Sequence, residues 1–369
     1  MPGLYIHIPF CKKKCPYCDF YSIPSDKDLA SQYLDILSYK IKKINKNIST
    51  VYIGGGTPTV LDEELLNFLL IKMEGILKKS EENTIEANPE SLTREKIKLF
   101  LSRGITRISI GVQSLREEKL KFLGRIHTKE EGVEKVLMAK RLGFKNINID
   151  LIYGLPYEKL ADFKKEIEEA VKLPITHISC YMLTLKKSSP LYKYIKNISQ
   201  EEVARMYKFL MRYLPSCGFY QYEVSNFAKK NYSSRHNAIY WKNKEYIGLG
   251  ASSVSYIEGK RVKKIADVKR YIQLVKENIS PVIFEEKLSP YKRAKETASL
   301  NIRLKEGINF SQFKKETGFD FWQIEDEEEI YNLVKKGLLK YKKRNKKIIG
   351  ISLTKQGFLF ADEVSSSLV

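Results

Sequence analysis

The chain has 369 residues and carries 65 Lys and Arg against 44 Asp and Glu, a net charge of +21. With 43% hydrophobic and 30% charged residues it reads as a soluble globular protein, long enough for one large α/β domain and a smaller one. No apolar run of about eighteen residues offers a membrane span, and five unevenly clustered cysteines suit a reducing cytoplasm and a metal site better than a disulfide framework.

The opening "MPGLYIHIPF" has no basic region leading into a long apolar run, so no signal peptide is expected. Strand-like runs then recur at 4–8, 50–55, 84–88, 105–112, 146–154 and 175–183. Segments with helical spacing separate them, for example Leu65, Leu66, Leu69, Leu70 and Met73. Strand–helix alternation predicts βαβ crossovers and a parallel sheet. Six units predict an α/β fold of the incomplete (β/α)6, TIM-like barrel kind, with its chemistry at the carboxyl ends of the strands. After residue 215 the texture changes, and a polar, aromatic, Gly-punctuated stretch reads as an irregular extension. From about 290 the order helix, turn, helix and two short β-like runs predicts a winged-helix-like α+β domain. The expected regions are 1–228, 229–288 and 289–369.

"CKKKCPYCDF" follows the first strand directly and places Cys11, Cys15 and Cys18 on one loop. Three thiolates at this spacing can hold three irons of a cubane cluster and leave the fourth open to another ligand. The alternative is a structural zinc or cluster site completed by Cys180, Cys217 or a histidine. "GGGTPT" (54–59) ends the second strand, where glycines allow close approach and free N–H groups could meet a carboxylate. Glu86 closes the third strand, Gln113 the fourth, Asp150 lies in the fifth, and Arg125 follows the fourth. A carboxylate for an ammonium and an Arg fork for a carboxylate are what a zwitterionic amino acid requires. Each could equally be a structural ion pair.

The CxxxCxxC spacing resembles the radical S-adenosylmethionine (radical SAM) superfamily. Together, "YIHIPFCKKKCPYCDF", "GGGTPT", "GVQS", "LGRIHT", "NIDLIYGLP" and "RHNAIYW" resemble the HemW heme-chaperone family, relatives of the oxygen-independent coproporphyrinogen III oxidases. The resemblance implies a 4Fe–4S cluster on Cys11, Cys15 and Cys18, with S-adenosylmethionine contacted by Tyr5, Gly55 and Glu86. It also implies that Tyr17, Gly56, Thr57, Gln113, Arg125 and Asp150 line the adjoining cofactor or substrate volume. The oxidases carry a further cysteine two residues after the third and a long N-terminal extension. Phe20 stands at that position here and only ten residues precede Cys11, so decarboxylation of coproporphyrinogen is not expected.

"HNAIYW" (His236, Asn237, Tyr240, Trp241) resembles the heme-chaperone signature. A histidine can ligate heme iron and the aromatics could wall a macrocycle; a buried His–Asn pair with core aromatics is the competing reading. Of the other histidines, His7 is expected to hydrogen-bond near the cluster or to pack, His127 to be solvated, and His177 to be a satisfied core residue. Cys180 and Cys217 are expected to be small buried hydrophobes.

The expected function is a cytoplasmic heme-binding protein that passes its cargo to apo-heme proteins, with a cluster and S-adenosylmethionine as cofactors. The alternative is a radical enzyme acting on porphyrinogen propionates, fed one electron by reduced flavodoxin or ferredoxin. The dispersed basic charge reads first as a solvated surface and second as a means of peripheral contact with anionic lipid. Homodimerisation stays open. No nucleic-acid partner is expected, because "DEEEIYNLVKK" opens with four acids where a winged helix would read DNA.

Overall fold

The computed structural model describes residues 1–369. Six parallel strands lie side by side in chain order: β1 (Gly3–Ile8), β2 (Thr50–Gly55), β3 (Glu82–Ala87), β4 (Arg107–Gln113), β5 (Asn146–Tyr153) and β6 (His177–Met182). Each is followed in turn by a helix, α1 (Lys27–Lys42), α2 (Glu63–Leu77), α3 (Arg94–Ser102), α4 (Lys129–Leu142), α5 (Leu160–Ala170) and α6 (Gln200–Ser216). Five of these helices start where a side chain accepts an orphan N–H three residues on: Asp26, Asp62, Thr93, Thr128 and Ser199. At the far end of α4, Gly143 takes the left-handed conformation (φ 119°) that turns the chain back toward β5.

Alternation along the strands divides two environments. Leu4, Ile6 and Ile8 of β1 and Ile108, Ile110 and Val112 of β4 are fully buried in the main apolar core. Each such side chain contributes roughly 1.5–3 kcal/mol by burial. The alternate positions face inward and are polar: Tyr52 and Glu86, Ser109 and Asp150, and Asn148 and His177 are hydrogen-bonded pairs across the lumen. A TIM barrel usually fills this space with branched aliphatics. Here the lumen is a polar chamber.

The stretch after 215, expected to be irregular, instead extends the same sheet at both edges. Asn226–Ala228 (β7) runs antiparallel to β6, while Tyr246–Leu249 (β8) runs parallel to β1. Beyond β8 come Val254–Ile257 (β9), Lys260–Lys264 (β10) and Val282–Lys287 (β11), completing a 12-stranded sheet with Tyr220–Gln221. These strands are two to six residues long, and the two that join the barrel pair with β6 and β1 far back in the chain, so their local periodicity was too short to read. Between β7 and β8, α7 (Arg235–Trp241) closes the floor of the barrel at the amino ends of the strands.

The C-terminal region has the expected order: α8 (Pro290–Asn301), α9 (Phe310–Thr317), α10 (Glu327–Lys335), then the hairpin β12 (Leu339–Arg344) and β13 (Lys347–Leu353). Ile308–Asn309 adds a third strand against β13. Asn345 and Lys346, both at positive φ, form the tight turn of the hairpin.

Candidate functional site

The carboxyl ends of β1 to β6 open on a cavity of about 470 Å³. Cys11, Cys15 and Cys18 border it on one side, and Glu86, Asp150 and Gln113 line its walls. Tyr17, Gly55, Gly56, Thr57 and Arg125 complete the set of expected residues brought together there. Tyr5 is the exception: it lies deeper in the lumen, with its hydroxyl hydrogen-bonded to His7 Nδ1 (2.8 Å), and does not border the cavity.

The glycine run works differently from the expectation of free N–H groups. Gly55 N–H donates to Glu86 Oε2 (3.0 Å), Gly56 N–H to Ile8 O (2.9 Å) and Thr57 N–H to Phe10 O (2.8 Å). The last two bonds bind the cysteine loop against the end of β2. A Cβ on Gly56 would sit 2.7 Å from Phe10 O and 3.0 Å from Cys11 Sγ, and Gly55 has a φ of 119° that disfavours any side chain. The glycines therefore seat the cysteine loop, and the run presents no spare donors at these positions.

Glu86 accepts from the Tyr52 hydroxyl (2.7 Å) as well as from Gly55. Burial pushes its carboxyl up to about 7, against the pull of those hydrogen bonds and of Arg107. Asp150 accepts from Ser109 (3.1 Å) and Asn148 (2.9 Å), and burial also raises its pKa. Arg125 donates to Cys15 Sγ (3.5 Å) and to Gly111 O (3.1 Å), bracing the cysteine loop against β4. Gln113 ends β4 at φ 64°, just past a register shift; such backbone strain is concentrated at functional sites.

The donor set suits a cluster better than a single ion. No group of three His, Cys, Asp or Glu closes on one point as a mononuclear metal requires. The three loop cysteines are unpaired thiols sharing one cavity rim. Cys180 belongs to the apolar core, where burial raises its thiol far above the ordinary range, and Cys217 caps the distant end of α6. Neither completes the cysteine loop, which removes the four-thiolate alternative.

Residues 5–170 match the Radical SAM superfamily. The chain is 33% identical to the heme chaperone HemW of Bacillus subtilis, over 99% of this chain and 98% of the relative. It is 35% identical to the HemW of Lactococcus lactis, over 98% and 95%. The chain belongs to the HemW heme-chaperone family. Its radical SAM character implies a 4Fe–4S cluster and S-adenosylmethionine. The fold of this HemW-family chain is that of coproporphyrinogen III oxidase (HemN) from Escherichia coli: TM-score 0.84 at 22% identity, covering all of this chain and 90% of that one.

The HemW-like "HNAIYW" segment forms α7, on the floor and away from the cavity. His236 is 1% exposed, and its ring nitrogens are bonded to Thr50 Oγ1 (2.7 Å) and the Tyr240 hydroxyl (2.9 Å). Burial drops its pKa to about 3, so the ring is neutral. Tyr240 stands edge-on to His236, at 84°, and Trp241 packs under Arg303 of the C-terminal region. Asn237 N–H is taken by the Ser234 cap. This geometry is that of a packed helix, and an iron at His236 would have to displace a hydrogen bond from the ring.

His127, expected to be solvated, is buried: Nε2 donates to Val112 O (3.0 Å) and Nδ1 lies 3.4 Å from Glu90. The loop after β4 folds back over the barrel wall, which no local pattern announces. His177 is the satisfied core residue expected, bonded to Asn148 and Tyr222. Sequence reasoning passed over Tyr52, Asn88, Tyr181 and Met182, which also border the cavity. Tyr52 and Asn88 could have been found, since each stands two residues from Gly54 or Glu86 on the same strand face.

Proposed function

We propose that this chain binds heme and hands it to apo-heme proteins, with a 4Fe–4S cluster on Cys11, Cys15 and Cys18 and S-adenosylmethionine in the adjoining cavity. The observation that carries the reading is the convergence of three thiols, with no fourth, on one cavity that also contains Glu86 and Asp150. The names of the relatives supply the heme. A bound cluster would supply one-electron chemistry and an iron free to take the cofactor's amino acid end. Around it the chain's own groups orient and exclude. Glu86 and Asp150 offer acceptors to a cationic ligand, Arg125 holds the Cys15 sulfur, and Thr57 sits 3.6 Å from the Cys11 sulfur.

A macrocycle suits the cavity rim better than the floor. Phe20 is 65% exposed there, and Tyr181 and Met182 are exposed beside it, with Lys13 and Lys14 on the same lining to meet propionates. The test is anaerobic reconstitution followed by parallel assays. Added heme should give a stable Soret band, and incubation with an apo-heme protein should move that band to the acceptor. Coproporphyrinogen with reductant and S-adenosylmethionine should yield no protoporphyrinogen; robust decarboxylation would overturn the chaperone reading.

A further inference from the structure

Arg107 opens β4 with its side chain fully buried, and the guanidinium makes no hydrogen bond and no ion pair within 4 Å; its Nε is an orphaned donor. A lone buried cation is expensive, so its surroundings must justify it. In the sheet Arg107 stands opposite Thr84, whose hydroxyl is also buried without a partner, and one inward step below Glu86. That step of two residues is roughly 7 Å along the strand. Its charge acts on Glu82, Tyr52, Tyr222 and Asp150, as well as on Glu86.

We propose that Arg107 is a positioning residue for S-adenosylmethionine: set beneath the cavity floor, it favours the charged forms of Glu86 and Asp150 for the cofactor's cationic end without touching the cofactor. This rests on the cofactor assignment made above. Arg107 is the cation whose charge acts on Glu86, while Arg125 on the same cavity is engaged with Cys15 and Gly111 and Lys13 and Lys14 stand at its rim. Tyr5 of β1, Tyr52 of β2 and Tyr240 of α7 stay neutral because burial raises them. His7, His177 and His236 stay neutral because burial lowers them, the last two also in the field of Arg107. Asp150 opposes ionisation of Glu86, and Arg107 offsets part of that opposition. Glu82, which balances Arg107 from below, is itself held by the Ser234 hydroxyl and the first N–H groups of α7.

The test measures S-adenosylmethionine affinity of the reconstituted protein by titration calorimetry from pH 6 to 9. Wild-type binding should strengthen as Glu86 ionises near neutrality. Arg107→Met should move the midpoint upward by about one unit, weaken binding roughly fivefold at pH 7 and close to tenfold at pH 6, and recover near pH 9, since one pKa unit is a tenfold population change below both midpoints. Arg107→Gln, polar and of similar reach, should do the same and serves if Met destabilises the barrel. Arg107→Lys should keep the wild-type midpoint. Superimposed profiles, or an affinity loss equal at every pH, would overturn the proposal while leaving the cofactor assignment standing. No binding by wild type at any pH would overturn both.

Discussion

At Glu86 the needs of folding and of binding pull in opposite directions. Its folded pKa of about 7 lies above the ordinary carboxylate value of 4.5 because burial disfavours the charge. The folded state therefore binds more protons than the unfolded chain between those values, and stability falls as pH rises from about 4.5 through 7. Glu86→Gln keeps an acceptor for Gly55 and a donor for the Tyr52 oxygen. The cofactor-free variant should therefore be more stable than wild type by about 3 kcal/mol at pH 8, the advantage vanishing near pH 4. Chemical denaturation at the two pH values checks this. The cysteines give the second residue-scale expectation. Replacing Cys11, Cys15 or Cys18 by Ala should abolish iron and sulfide content, whereas Cys180→Ala and Cys217→Ala should retain it. Loss of iron in either of the latter would contradict the separation of those two thiols from the loop.

Among the elements, α7 is the one whose role the fold redefines. Its amino end sits on Glu82, which accepts from the N–H groups of Arg235 and His236 and from the Ser234 hydroxyl, and its middle is tied to β2 through His236 and Thr50. A carboxylate at a helix amino end also complements the exposed dipole. His236→Ala removes two buried hydrogen bonds and should cost about 1–3 kcal/mol of stability. Heme affinity and the Soret spectrum should stay at wild-type values at temperatures where the variant is folded. A shifted or missing Soret band in a folded variant, with iron–sulfur absorbance intact, would return the iron to His236. Both roles were compatible with the motif read as letters, because a His and two aromatics spaced over six positions suit a core as well as a macrocycle.

On the scale of the whole molecule, barrel and C-terminal region share one continuous apolar core of 74 residues, from Leu4 to Leu368. Polar contacts cross the same junction: Asn243 donates to Glu296 (3.1 Å) and Thr297 (3.0 Å), Asn301 to Trp241 O (3.3 Å), and Arg303 lies 4.9 Å from the Trp241 ring centroid. Regions joined this way should unfold together. Calorimetry should show a single transition whose van't Hoff and calorimetric enthalpies agree. Two resolved transitions would show that the winged-helix-like region is an independent unit.

The sequence alone determined the six-fold strand–helix order, the cysteine loop after the first strand, and the set Glu86, Gln113, Arg125 and Asp150. These are written locally, as periodicity and as polar residues where a strand ends. The helices and hairpin of the C-terminal region were legible for the same reason. Tertiary structure decided what depends on partners remote in the chain. It paired β8 with β1, placed His236 against Thr50, buried His127, and spent the Gly56 and Thr57 N–H groups on the cysteine loop. It also set a buried Arg107, with no hydrogen bond to its Nε, beneath Glu86. A side chain's neighbours across the lumen come from strands tens of residues away, and its charge acts through that space rather than along the chain.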